Sequence, residues 1–323
     1  MISRVADHLF WLGRYVERAE SSARVLLVTR NLALDGELAP RQCWQPAVTV
    51  CGEAASFRER FGEEGVEDGE VVQAYLAWDE ENGASILCSV AAARENARSI
   101  REVVSLEAWE TVNELHLWMG GAGRELWRED RHGFYRHVRL WAQQCQGVIQ
   151  GTMLHDDALD FIGLGLMLER AGQTARILDV HHHALTELEA HQVVETALWL
   201  ALLRACSGFE PFMKRFQGKA SAATVARFLL LDARFPRSVV YCLRAAALRL
   251  ERVRTPEDAR GGSLTRLRAI EAHVAEQAGA LADGGVLHDL LTRVVDETHA
   301  ICDEIGQELL GCAPPAPAGT QAQ

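Results

Sequence analysis

No apolar run in this chain approaches the roughly 18 to 20 residues that span a bilayer. Its most apolar windows, such as Ala197 to Ala205, are far shorter. The opening residues Met1 to His8 include Arg4 and Asp7 before any stretch of signal-peptide length develops. The expectation is a soluble, cytoplasmic protein with no membrane partner. Positive charge is scarce: 33 Lys and Arg against 45 Asp and Glu leave a net charge of -12. A nucleic-acid binder needs a basic face, so nucleic acid drops out as an expected partner. Strand-like alternation of apolar and polar residues is also scarce. The eight cysteines form no C-x-x-C and sit mostly in apolar helical context, which reads as buried, reduced thiols. His181, His182 and His183 would point in three directions on a helix and cannot share one ion. His8, His155 and His299 offer no H-x-x-x-H pairing, and His183 with Glu187 is a weak pair, so neither a metal nor a cofactor is expected. G-x-S-x-G and G-x-x-x-x-G-K-[ST] are both missing, which removes the corresponding nucleophile and phosphate-loop classes.

What is present is helical periodicity. Leu9, Leu12, Val16, Ala19, Ala23 and Leu26 recur in steps of three and four and define one buried face of a helix over Leu9–Leu27. The stretch Leu12-Gly13-Arg14-Tyr15-Val16-Glu17-Arg18-Ala19 returns as Leu164-Gly165-Leu166-Met167-Leu168-Glu169-Arg170-Ala171, an offset of 152. Trp44, Cys51, Phe57, Arg60 and Phe61 are matched by Trp199, Cys206, Phe212, Arg215 and Phe216 at an offset of 155. Asp79, Asn82, Gly83, Ser85 and Ile86 are matched by Asp232, Phe235, Pro236, Ser238 and Val239 at 153. Three blocks in one order read as a tandem duplication. The fold expected is an all-α, tandemly duplicated helical bundle, residues 1–312, with pseudo-symmetric halves 1–155 and 156–312 packed as one body. The Pro- and Ala-rich tail 313–323 reads as disordered. Gly62 to Gly69 reads as a loop, and Gly83 or Pro236 as the start of a helix.

Two charged clusters carry the chemistry. On a helix Gly13, Glu17 and Arg24 share a stripe, as do Gly165, Glu169 and Arg176, while Arg18 and Arg170 project about 100 degrees away from the adjacent Glu. Gly lets another backbone approach where the Glu points, and a buried carboxylate needs a partner. One reading is a structural ion-pair network of Glu17, Arg24, Glu169, Arg170 and Arg176 that docks the halves. The other is a cleft binding a charged ligand. The second cluster runs from Arg94 through Glu95, Asn96 and Arg98 to Arg101. Arg94, Arg98 and Arg101 fall on one helical stripe and can hold a carboxylate or phosphate. Alternatively they form a solvated face with ordinary intrahelical pairs. The corresponding residues Ala247 to Glu251 do not repeat the pattern, which favours a binding role for Arg94, Glu95, Asn96, Arg98 and Arg101, bordered by Glu17 and Arg18.

The run Leu9 to Ala19, Asp79 to Ile86, Ala93 to Arg98 continuing to Trp109 and Asn113, Leu168 to Ala171, and Phe235-Pro236-Arg237-Ser238-Val239 together resemble the bacterial Alpha-E family, named for its Glu-Arg motif. The likeness spans the chain except its tail. One departure is Gly83, where the family usually has Pro. The resemblance implies an all-helical cytoplasmic protein. Members typically occur beside, or fused to, circularly permuted ATP-grasp proteins, often with a transglutaminase-like protein nearby. The expectation is therefore a non-catalytic accessory subunit for an ATP-grasp-type peptide or amide ligase, binding the ligase or its peptide or amino-acid substrate. The alternatives are an enzyme using Glu17 or Glu169 as acid or base in a helical cleft, and a structural homo-oligomer.

Overall fold

The structure, a computed structural model, describes residues 2–35, 38–187, 192–217, 220–254, 262–279, 281 and 284–312. The tail expected to be disordered lies outside them, as do the side chains of His182, His183 and Glu187. Among the described residues there are fifteen α-helices and no strand. They are α1 (Ser3–Asp35), α2 (Pro40–Val50), α3 (Ala54–Phe61), α4 (Gly69–Trp78), α5 (Ile86–Ser99), α6 (Leu106–Gly120), α7 (Ala122–Glu129) and α8 (Arg131–Thr152). There follow α9 (Asp157–Glu187), α10 (Gln192–Ala205), α11 (Phe209–Phe216), α12 (Ala222–Leu231), α13 (Val239–Val253), α14 (Ser263–Glu276) and α15 (Gly284–Glu308). None of them is long and apolar enough to cross a membrane.

Two long helices, α1 and α9, form the axis. They pack along each other; α5 and α8 lie against α1, and α13 and α15 lie against α9. All six apolar positions from Leu9 to Leu26 are buried. Gly13 and Gly165 set how close the axis helices come. A Cβ on Gly13 would stand 2.0 Å from the Ile162 carbonyl oxygen, and one on Gly165 would stand 2.1 Å from the Phe10 carbonyl oxygen. Any side chain at either position would force the helices apart. Being surrounded, α1 also buries Arg14, Glu17, Glu20, Ser21, Ser22, Arg24 and Thr29. These polar groups need partners inside the protein.

Helix starts follow side-chain chemistry. Asp68, Ser85, Ser105 and Ser238 cap α4, α5, α6 and α13 by accepting from backbone N–H groups of the first turn. The helix starts expected at Gly83 and Pro236 therefore fall a few residues later. Both residues lie in the preceding turn, because the serine hydroxyl at 85 or 238 is what satisfies the first turn's donors. The expected loop at 62–69 contains a single turn, Gly65–Glu67, and ends where α4 begins.

Candidate functional site

The charged residues of the axis form two clusters, one on each side of the α1–α9 crossing. Glu17 is fully buried. Its carboxylate accepts from Arg170 at 2.6 Å and from Arg237 at 2.6 Å, with Gln146 of α8 at 3.2 Å. Glu20, also fully buried, accepts from Arg237 at 2.8 Å, Arg24 Nε at 3.0 Å, Gln146 at 2.8 Å and Gln143 at 3.1 Å. Arg24 also donates to Ser207 Oγ. Burial alone would raise the Glu20 pKa, but Arg237 and Arg24 outweigh it and bring it down to about 2. This cluster is dense and closed, with each carboxylate meeting at least two guanidinium groups.

The second cluster is built around Glu169. Arg18 grips it with two contacts, Nε to Oε1 at 2.8 Å and an NH group to Oε2 at 3.1 Å, and Arg14 Nε adds a third at 2.9 Å. Burial raises the Glu169 pKa, but Arg14 and Arg18 more than offset this and hold the carboxyl well below the usual range. Here the packing is open. A cavity of about 210 Å³ is lined by Arg14 and Arg18 of α1 and by Glu169, Gly172, Gln173 and Arg176 of α9. Leu168 of α9, Thr298, His299 and Cys302 of α15, the Cys51–Glu53 turn and Ala84 complete the wall.

Arg176 is the residue of interest in this cavity. Its guanidinium donates to His299 Nε2 at 2.7 Å, and among the described residues it forms no ion pair with a carboxylate. A guanidinium can only donate, so Nε2 accepts and the imidazole is neutral with its proton on Nδ1. Burial, with Arg176 and Arg14 close by, lowers the His299 pKa below its ordinary value, in keeping with that neutral form. Gly52, held at φ +81°, lets the backbone pass the guanidinium; a Cβ there would be 3.1 Å from an Arg176 NH group. The wall thus presents three guanidinium groups against two carboxylates, Glu169 and Glu53, and Glu53 already accepts from the Tyr75 hydroxyl at 3.0 Å. Such a surface can hold a carboxylate or another compact anion. It is poorly suited to acid–base chemistry, since Glu17 is sealed and Glu169 is held ionised by two arginines.

The Arg94 cluster lies elsewhere, on the face that α5 shares with α6. Arg94 Nε donates to Asn113 Oδ1 at 3.0 Å, and Arg98 forms an exposed pair with Glu95 on the same helix. Asn96 contacts His8 of α1 at 2.8 Å. Arg94 and Arg101 flank the Trp109 ring, at 5.8 and 4.9 Å from its centre. Because α5 ends at Ser99, Arg101 sits beyond the helix rather than on a continuous stripe. Among the described residues no hydrogen bond joins this cluster to Glu17 or Arg18. In the axis, Arg24 is engaged with Glu20, and Arg176 with His299. Arg14, Glu20, Arg237 and Gln146 were not singled out by sequence reasoning. Glu20 was within reach, since it lies three residues after Glu17 and four before Arg24. No group of three or more His, Cys, Asp or Glu is gathered as a metal-binding set among the described residues.

A family model, Alpha-E, described as a predicted alpha-helical domain with a conserved ER motif, matches residues 1–310. Uncharacterized proteins of Mycobacterium bovis and of two strains of Mycobacterium tuberculosis are each 26% identical to the chain over 340 residues, covering 98% of it. The chain spans 38% of the length of these curated relatives. No solved structure matches it.

Proposed function

This chain belongs to the Alpha-E family, and from that premise we propose that it is a non-catalytic accessory domain of an ATP-grasp-type peptide or amide ligase. Its task is to hold the carboxylate-bearing amino-acid or peptide substrate for the ligase in the cytoplasm. The observation that carries this reading is Arg176: a half-buried guanidinium facing a cavity, with a neutral imidazole as its hydrogen-bond partner and, among the described residues, no carboxylate paired to it. A cation partly withdrawn from water and without a paired counter-ion favours an anion brought to it. The partner class rests on the company the family keeps, namely ATP-grasp and transglutaminase-like proteins. The relatives add support, since in them the matching stretch is a minor part of a longer chain, as expected for a module that works with others. We assign the region around Arg94, Arg98 and Arg101, of which Arg98 and Arg101 are exposed, to contact with the ligase.

The same reading includes the duplication. The three repeated sequence blocks support it, as do the matching surroundings of the axis: α5 and α8 on α1, α13 and α15 on α9, and a glycine from each axis helix against the other's backbone. The acid–base alternative is weaker, because a carboxylate pinned by two arginines is a poor proton acceptor near neutral pH.

Reconstitution provides the test. The chain is mixed with the ATP-grasp protein encoded nearest to it, and ADP release is followed with candidate amino acids. Co-purification and a rise in ADP release dependent on this chain are the expected results. An ATP-grasp protein that neither binds it nor responds to it overturns the accessory reading.

A further inference from the structure

The two sides of the axis differ at a few positions, and those positions say what the cavity accepts. This inference rests on the duplication proposed above. At the offset of 152 that relates Glu17 to Glu169 and Arg24 to Arg176, Glu20 corresponds to Gly172. At the offset of 153 that relates Ser85 to Ser238, Arg237 corresponds to Ala84. In the closed cluster the Glu20 carboxylate neutralises Arg24, and the Arg237 guanidinium bridges Glu17 and Glu20. In the open cluster both of these side chains are replaced by residues that carry no charge, and both replacements, Gly172 and Ala84, line the cavity. Arg14, whose counterpart at offset 152 is Leu166, supplies the second guanidinium on Glu169, so what the cavity lacks relative to the filled cluster is the carboxylate that neutralises Arg24.

We infer that the cavity is a binding site for a small zwitterion, a free α-amino acid or the charged end of a short peptide. Its carboxylate takes the place of Glu20 on Arg176, and its ammonium meets Glu53, which among the described residues has no cation paired to it. The wall has the groups for both ends: Arg176 can donate to the carboxylate, and Glu53 can accept from the ammonium, while Glu169 is already filled by Arg14, Arg18 and Gln173. The volume fits the same class. About 210 Å³ is less than the roughly 300 to 1,000 Å³ of sites for drug-sized ligands, which is too little for a nucleotide. A bare anion would satisfy Arg176 but leave Glu53, which accepts from the Tyr75 hydroxyl and among the described residues has no ion pair, without a cation.

Calorimetric titration of the full chain, with no ligase present, tests this directly. The probes are glycine, L-alanine and L-glutamate, followed by the amide and the N-acetyl derivative of whichever binds most tightly. At least one amino acid should bind. Removing either its carboxylate charge or its ammonium charge should weaken binding by about tenfold or more. Gly172→Glu installs a carboxylate four residues before Arg176, the spacing at which Glu20 meets Arg24, and should abolish binding without lowering the melting temperature. A Cβ at 172 meets only the Thr298 hydroxyl, at 3.3 Å, so the helix can accept it. Gly172→Ala controls for the added Cβ and should retain binding. No binding of any of the three amino acids overturns the inference. So does an N-acetyl derivative that binds as well as its parent, which would mark a plain anion site. Amino-acid binding without any effect on ADP release would overturn the ligase reading and leave the ligand assignment standing.

Discussion

Replacing Gly13 by alanine should destabilise the protein, although alanine is the better helix former. In an exposed helix interior the change is worth about 1 kcal/mol in favour of alanine. At position 13 the new Cβ would lie 2.0 Å from the Ile162 carbonyl oxygen, 2.9 Å from its carbon and 3.1 Å from the Leu166 nitrogen. All three are backbone atoms of α9, so no side-chain rotation relieves the clash. The axis helices must separate, and overpacking of this kind costs about 1–3 kcal/mol. Separation also stretches the Glu17–Arg170 and Glu169–Arg18 contacts, at 2.6 and 2.8 Å, that bridge the same crossing. Disrupting a buried pair adds up to about 3–5 kcal/mol when one charge is left without its partner. Part of that loss on top of the overpacking, less the helix gain, leaves a net destabilisation of about 2–4 kcal/mol. Urea unfolding of Gly13→Ala beside Gly147→Ala measures it. Gly147 is exposed on α8 with nothing within 4 Å of an added Cβ, so its replacement should stabilise by about 0.5–1 kcal/mol. A Gly13→Ala protein as stable as its parent would refute the close-crossing argument.

Other predictions follow from the charged clusters. Glu17→Gln keeps the shape but leaves Arg170 and Arg237 facing a neutral amide, and should cost about 3–5 kcal/mol by urea unfolding; a loss under about 1 kcal/mol would mean the charge is not needed there. The Glu20 and Glu169 pKa values are lowered in the folded state, so their stabilisation is fully present above the ordinary carboxylate value near 4.5. It should fade as pH falls from there toward about 2, where Glu20 titrates, and unfolding free energy measured against pH should decline across that window. An unchanged stability from pH 5 to 2.5 would contradict the pairing. Arg98→Ala should leave stability unchanged, because its pair with Glu95 is exposed on both sides, while reducing co-purification with the ligase. A loss of stability without loss of partner binding would instead make that face structural.

The helical class was legible from Leu9, Leu12, Val16, Ala19, Ala23 and Leu26 alone, since a three-four spacing with no competing alternation permits little else. The close approach at Gly13 and Gly165 was also readable, because each glycine sits four residues before a Glu that must be buried with a partner. The identity of those partners was not. Arg237 reaches Glu17 across 220 positions of sequence, and only the packing of the turn before α13 against α1 brings them together. The cavity was harder still to anticipate, because it arises from what Gly172, Ala84 and Gly52 do not carry rather than from any reactive residue. Charge, and the lack of the same pattern at Ala247 to Glu251, pointed to Arg94, Arg98 and Arg101. The structure ends α5 at Ser99, where Ile100 leaves helical geometry, and turns Arg101 toward Trp109. Comparing position 20 with 172 and 84 with 237 would have pointed to the cavity from sequence.

ADP release by the ATP-grasp ligase in the presence of the Gly172→Glu chain tests most directly whether this cavity is the substrate-holding site of an accessory domain. The parent chain should stimulate release with the amino acid that it binds. The variant should fold and co-purify with the ligase yet give no stimulation, because its own carboxylate engages Arg176. Stimulation by the variant equal to that of the parent would contradict the assignment.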